Sequence, residues 1–110
     1  MIDWMRIHNL RTEIGADDFL EVVDMFLEEA DEVIGRLTGS PDMAQVESEL
    51  HFLKGAALNL GLTELAALCQ TGERLAAGGQ AAAVDLAQVE QVYLASHKAL
   101  QQTLGRPPTP

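Results

Sequence analysis

Apolar residues recur every three or four positions along most of this chain, and short runs of glycine, proline and small polar residues separate the periodic stretches. That spacing predicts helices with one buried face. Asp3 is placed to cap a short helix over Trp4 to about Thr12, closed near Gly15. Asp17 is placed to cap a second helix running to about Leu37, with Phe19, Val23, Phe26, Ala30, Val33 and Leu37 on one stripe. "TGSPD" breaks the pattern. A third helix is then expected from Pro41, with Ser40 as its cap, to about Leu60. Its stripe is Val46, Leu50, Leu53, Ala57 and Leu60, and Gly61 stops it. Thr63 is placed to cap a fourth helix that carries Leu65, Leu68, Cys69 and Leu75 and ends at "AGGQ". A fifth is expected from about Ala83 to Leu104 with Leu86, Val89, Val92, Tyr93 and Leu100, after which "GRPPTP" cannot continue a helix.

Short loops between long amphipathic helices favour antiparallel neighbours. The expected fold is therefore all-α, an up-and-down antiparallel four-helix bundle with a short additional N-terminal helix. Residues 1–105 read as a single domain and 106–110 as a flexible C-terminal tail.

Composition and charge narrow the function. The 110 residues suffice for one domain, and with 47% apolar but only 5% aromatic residues the core must be mainly Leu, Val, Ala and Met. The methionines read as core filler. Asp and Glu number 17 against 7 Lys and Arg, a formal charge of −10, which repels nucleic acid and anionic membranes, so neither is an expected partner. Cys69 is the only cysteine; it cannot form an internal disulfide, suits a reducing compartment and reads as a small core residue. No run of about 18 apolar residues is present to span a membrane, and "MIDWMRIHNL" lacks the features of a signal peptide. A cytoplasmic location is expected. Between Arg11 and Arg36 every charged residue is acidic: Glu13, Asp17, Asp18, Glu21, Asp24, Glu28, Glu29, Asp31 and Glu32. A solvated helix face explains this run.

One stretch, "HFLKGAALNLG" at 51–61, asks for more. With Leu50, Leu53 and Ala57 facing the core, 100° per residue puts His51 on one shoulder of that stripe, with Lys54 and Leu58 on the same shoulder. Glycine inside a helix costs about 1 kcal/mol relative to alanine. Helical side chains lean toward the N-terminus, so one at position 55 would fall back over the imidazole at 51. Glycine at 55 uncovers the ring, and Lys54 welcomes an anion beside it. A neutral imidazole nitrogen is a nucleophile near pH 7. The three residues together suggest a phosphoryl acceptor; an ordinary surface histidine with a packing glycine is the alternative. Phe52 points away from the core stripe and is a candidate interface anchor, as is Leu58; from the second helix, Phe19 and Val22 are further candidates for a docking surface. His8 and His97 have no comparable neighbours and read as surface or packing residues.

"HFLKGAALNLG", followed by Leu65, Leu68, Cys69 and Glu73, resembles the signature of histidine-containing phosphotransfer (HPt) domains of two-component phosphorelays, which is His-x-Leu-Lys-Gly, then Leu-Gly, then a helix with Leu/Cys/Glu spacing. The close part covers about residues 46 to 75, and "FLEVVDMFLEEADEVIGRL" resembles the family's preceding helix. The resemblance implies a four-helix bundle in which His51 accepts a phosphoryl group from a receiver-domain aspartate and passes it to another. Lys54 and Gly55 would support transfer, and Glu73 would accept a hydrogen bond from the ring of His51; a local pairing of Glu73 with Arg74 is the alternative. The partners would be receiver domains of response regulators or hybrid histidine kinases, and a monomer is expected. No cofactor is expected on this chain, the receiver supplying Mg²⁺. With no Gly-rich phosphate loop or ATP-binding motif, the chain would be a phosphocarrier without autonomous kinase activity. Two positions depart from the family pattern: Ala56 stands where a small hydroxyl residue is common, and Gly72 where a bulky apolar residue is usual, which would loosen the fourth helix locally. Two rival readings are a structural adaptor bundle, which leaves Lys54 and Gly55 unexplained, and a metal site at Glu47 and His51, which lacks the Glu-x-x-His pairs of di-iron bundles.

Overall fold

The side chain of Asp3 accepts hydrogen bonds from the backbone N–H groups of Met5 (3.1 Å) and Arg6 (3.2 Å), two of the donors that a helix start leaves open. From there the computed structural model, which describes residues 2–39 and 41–103, is helical almost throughout. Its helices are α1 (Trp4–Ile14), α2 (Ala16–Thr38), α3 (Val46–Asn59), α4 (Thr63–Ala77) and α5 (Leu86–Thr103), with one 3-10 turn at Ala81–Ala83. They form a helical bundle, and among the described residues the only extended pairing is an isolated bridge between Ile2 and Leu62. No described helix is long and apolar enough to cross a membrane.

The buried stripes follow the sequence periodicity. Val46, Leu50, Leu53, Ala57 and Leu60 of the third segment are all buried, as are Phe19, Val23, Ala30, Val33 and Leu37 of α2 and Leu65 and Cys69 of α4. Phe26, Leu68, Leu86 and Val92 are half-buried against this core. Met5, Met25 and Met43 are exposed and do not fill the core; Met1 lies outside the described residues, as do the expected Ser40 cap and the 106–110 tail.

Helix starts differ from expectation, each for a local reason. α2 begins at Ala16 directly after Gly15, so Asp17 lies inside the first turn. It still sits with Asp18 at the positive end of the helix. α3 begins at Val46 and not at Pro41, because Asp42 turns the chain first. Its carboxylate accepts from Ala44 N–H (3.0 Å) and its carbonyl from Gln45 N–H (2.8 Å), a side chain competing with the helix for backbone groups. Thr63 is the first residue of α4, so the cap position falls on Leu62. α5 starts later than expected, at Leu86, since the Asp85 carboxylate accepts from Gln88 N–H (3.0 Å) and so acts as its cap.

α3 ends in a Schellman motif. Leu62 N–H donates to Ala57 O (2.8 Å) and Gly61 N–H to Leu58 O (3.3 Å), with Gly61 at φ +71°. A Cβ on Gly61 would lie 2.6 Å from the carbonyl oxygen of Asp3, so glycine is needed for both conformation and close approach. Asp3 N–H donates to Gly61 O (2.6 Å), and Arg6 donates from Nε to the carbonyl of Asn59 (3.3 Å) and from its guanidinium to the Asn59 side chain (3.3 Å). A cation thus meets the negative end of α3, and α1 is fastened there.

At the α2–α5 contact the buried Tyr93 hydroxyl lies 3.1 Å from Leu27 O and also hydrogen-bonds the Asp31 carboxylate. Burial and the Asp31 charge both push the phenol pKa up, so the hydroxyl remains a donor. His97 tilts against the Tyr93 ring, with ring centres 5.7 Å apart. Asp31 therefore belongs to a tertiary contact, not simply to a solvated acidic face.

α3 and α4 share the most extensive contact in the bundle. Gly72 is buried in it. A Cβ there would lie 2.7 Å from Leu50 Cδ1 and 3.1 Å from Val84 Cγ1. The expected loosening at Gly72 does not occur; α4 runs through it to Ala77, and the missing side chain makes room for Leu50 and Val84. Replacing Gly72 with leucine should lower the unfolding free energy in urea by about 1–3 kcal/mol, the usual cost of overpacking, although leucine is the better helix former. An unchanged midpoint would show that Leu50 and Val84 yield freely.

Candidate functional site

Because Leu50 and Leu53 are fully buried, the helical rotation carries His51 outward, and its side chain is 72% exposed. On α4 the face toward the core runs through Leu65, Ala66, Cys69 and Gly72. Glu73, one turn after Cys69, falls at the edge of that face and meets α3. Its Oε2 lies 3.1 Å from His51 Nδ1, and its Oε1 lies 2.9 Å from Lys54 Nζ. One carboxylate therefore joins the histidine to the lysine across two helices.

An ionised carboxylate only accepts, so the Nδ1 nitrogen that faces it carries the proton. In the neutral ring Nε2 then keeps its lone pair, the tautomer needed for attack on an electrophile. Partial burial pushes the Glu73 carboxyl up. The hydrogen bonds and positive charge of Lys54, together with the contact to His51, outweigh burial and hold it below its ordinary value. Burial, with the Glu73 charge adding to it, pushes the Cys69 thiol up to about 12, so it stays a neutral core group.

Lys54 is not the freely exposed cation that the spacing suggests. Only 23% of its side chain is accessible, because the ammonium is drawn onto Glu73. A Cβ on Gly55 would meet nothing within 4 Å among the described residues, so their packing does not require the glycine. The Gly55 carbonyl accepts from the Asn59 side chain (3.1 Å), the same side chain that Arg6 holds. Ala56 is buried.

The docking candidates separate. Phe52 is 39% and Leu58 57% exposed, the first next to His51 on α3 and the second two turns after it. Phe52 lines a groove with Glu29, Glu32 and Val33 of α2 and Arg36, the last paired with Glu49 at 2.6 Å. Val22 is half-buried. Phe19 is 2% exposed and belongs to the core, so it lines no docking surface. The spacing that put it on the α2 stripe had already given its place.

A family model described as the Hpt domain matches residues 21–106. The chain belongs to the Hpt domain family. This Hpt domain accordingly falls among the proteins of histidine phosphotransfer in phosphorelays. The matched span contains α3 and α4 with His51, Lys54, Gly55 and Glu73, and α1 precedes it. No curated protein and no solved structure matches the chain.

What the sequence did not disclose is that Glu73 serves Lys54 as well as His51. The signal lay in the glutamate one turn after Cys69, but only the α3–α4 contact shows both partners. The pairing has a pH signature. A carboxyl whose folded pKa lies below its usual 4.5 stabilises the fold fully above that value, and the contribution is lost as pH falls through the lowered one. The stability gap between the parent and Glu73→Gln should therefore be constant near neutrality and shrink as acid protonates the carboxyl below pH 4.5. Melting temperatures across that range measure it, and a gap indifferent to acid would mean that the ion pairs add nothing to the fold.

Proposed function

We propose that this Hpt domain is a cytoplasmic phosphocarrier in which His51 Nε2 takes a phosphoryl group from an aspartyl phosphate of one receiver domain and yields it to an aspartate of another. The observation that carries this reading is the Glu73 carboxylate on Nδ1 of an otherwise exposed ring. That bond orients the imidazole and assigns the lone pair to Nε2. Lys54 supplies a cation for the incoming phosphoryl oxygens. Gly55, with open space where a Cβ would stand, leaves room for the receiver to approach. Phe52 and Leu58 beside the histidine, and Val22 at lower exposure, suit docking. In this reading the receiver supplies the aspartate and Mg²⁺, and catalysis is chiefly a matter of holding the two proteins in line.

Incubation with a receiver domain charged with acetyl phosphate, followed by mass spectrometry, tests the assignment. The parent should gain acid-labile phosphate on His51, and His51→Gln should gain none. Phosphate of equal yield on the variant would overturn the reading.

Gly55→Gln separates access from packing. Its melting temperature should hold or rise, since glycine is the poorer helix former by about 1 kcal/mol, while phosphorylation of His51 by the charged receiver slows. A variant that accepts phosphate at the parental rate would remove the glycine from the mechanism.

A further inference from the structure

Where the two ends of the described chain meet α4, the bundle leaves a groove of about 400 Å³. Val92, Ala95, Ser96 and Ala99 of α5 line it, with Ile2 and Trp4 from the N-terminal end. Trp4 is 44% exposed, so the groove leaves much of the indole uncovered. Ser96 is only 6% exposed, yet its hydroxyl has no hydrogen-bond partner among the described residues. Hydroxyl residues inside a helix commonly donate to the carbonyl four positions earlier, as Thr12, Thr38 and Thr71 do here. Ser96 keeps its donor for something that enters the groove. Ile2 and Trp4 also precede the span matched by the Hpt model, so this groove is not built from the family's common framework alone.

Seven residues follow the end of α5 at Thr103, namely Leu-Gly-Arg-Pro-Pro-Thr-Pro. Residues 107–110 form a PxxP sequence. Prolines favour the extended left-handed helix that aromatic-lined grooves recognise. We propose that residues 104–110 fold back along α5 and seat Pro107, Pro108 and Pro110 in this groove against Trp4, as an intramolecular strap that ties α1 to α5.

Reach, hydrogen bonding and charge all support that occupant. α5 rises about 1.5 Å per residue, which places Ala99 about 6 Å and Val92 about 16 Å before Thr103. Seven residues in the extended form span about 22 Å. Gly105 allows the reversal, because glycine adopts turn conformations that other residues avoid. An extended proline-rich backbone leaves its carbonyls without internal donors. The groove offers the Ser96 hydroxyl, the Trp4 indole N–H and the Gln91 amide to them. Arg106 is the only charged residue of the segment, and Glu64 is the only charged residue among those that line the groove. Tethering gives the segment a high effective concentration, and stiff prolines lose little freedom on seating. The groove reaches α4 at Glu64 and shares no residue with the histidine site, so the strap leaves His51 open to a partner.

Trp4 is the only tryptophan, so its emission reports on the groove directly. The full-length parent is compared with Arg106→Glu and with a double variant, Pro107→Gly with Pro108→Gly, after circular dichroism has checked that helicity is kept. The parent should show nuclear Overhauser contacts between the Trp4 indole and the ring protons of Pro107 or Pro108. In the double variant Trp4 emission should move to longer wavelength and acrylamide should quench it more strongly. Arg106→Glu should produce part of the same change. A parent without the indole–proline contacts, or one quenched as strongly as the double variant, overturns the strap. Equal quenching of the parent and Arg106→Glu overturns the pairing of Arg106 with Glu64. Contacts that appear only between labelled and unlabelled chains in a mixed sample would show a second copy in the groove, and the intramolecular strap would be wrong.

Discussion

How closely α4 lies against α3 decides whether His51 has an acceptor for its ring proton. Gly72 sets that approach. With no side chain at 72, the Leu50 methyl and Val84 occupy the space a Cβ would need, and the next residue, Glu73, is brought within 3.1 Å of the imidazole and 2.9 Å of the lysine. The glycine forgoes helix propensity, about 1 kcal/mol relative to alanine, and gains the packing of a fully buried leucine in exchange. Leu50 is itself the neighbour of His51, so the same turn of α3 both anchors the helix and presents the imidazole. A bulky residue at 72 would push on the residue that holds His51 in place.

The core was legible because helical period and burial are two expressions of one geometry. Every residue on the expected third stripe is buried, and most on the others are buried or half-buried. Helix starts were less legible because they are decided by single side chains. Asp42 and Asp85, both within the expected helices, take backbone N–H groups onto their carboxylates, each delaying a start by a few residues. The methionines misled for another reason. Their hydropathy is apolar, but Met5, Met25 and Met43 fall between the stripes, and position on the helix outweighs residue type.

At the site, what could be read was what lies on one helix. His51, Lys54 and Gly55 occupy fixed relative positions whatever the tertiary packing, so their shared shoulder followed from 100° per residue. The same arithmetic placed Phe19 on the α2 core stripe, and its burial shows that the stripe was the better guide than its nearness to an expected docking face. Glu73 needed a second helix. Spacing could propose it as the ring's partner, but nothing along the chain could show that Lys54 leans on the same carboxylate. The change in Lys54 is the larger lesson, since a cation drawn inward by an ion pair is a different chemical resource from one free on the surface.

The exposure of His51 bears on how much of the proposed reaction this chain can perform alone. Charges at a wet surface interact weakly, and a single ammonium already paired with Glu73 contributes little to a transition state compared with donors fixed in a water-excluded site. The chain also carries a formal charge of −10, so a phosphoryl group arrives into a field that opposes it, relieved locally by Lys54. Such a site holds its cargo loosely. Loose holding fits a carrier, for which a deeply stabilised phosphorylated state would be an end point and not an intermediate. The missing electrostatic and desolvating contributions must then come from the surface that closes over the ring. The apolar exposure of Phe52 and Leu58 after His51 on α3 suits such a surface, because covering them would help expel water from the neighbouring histidine.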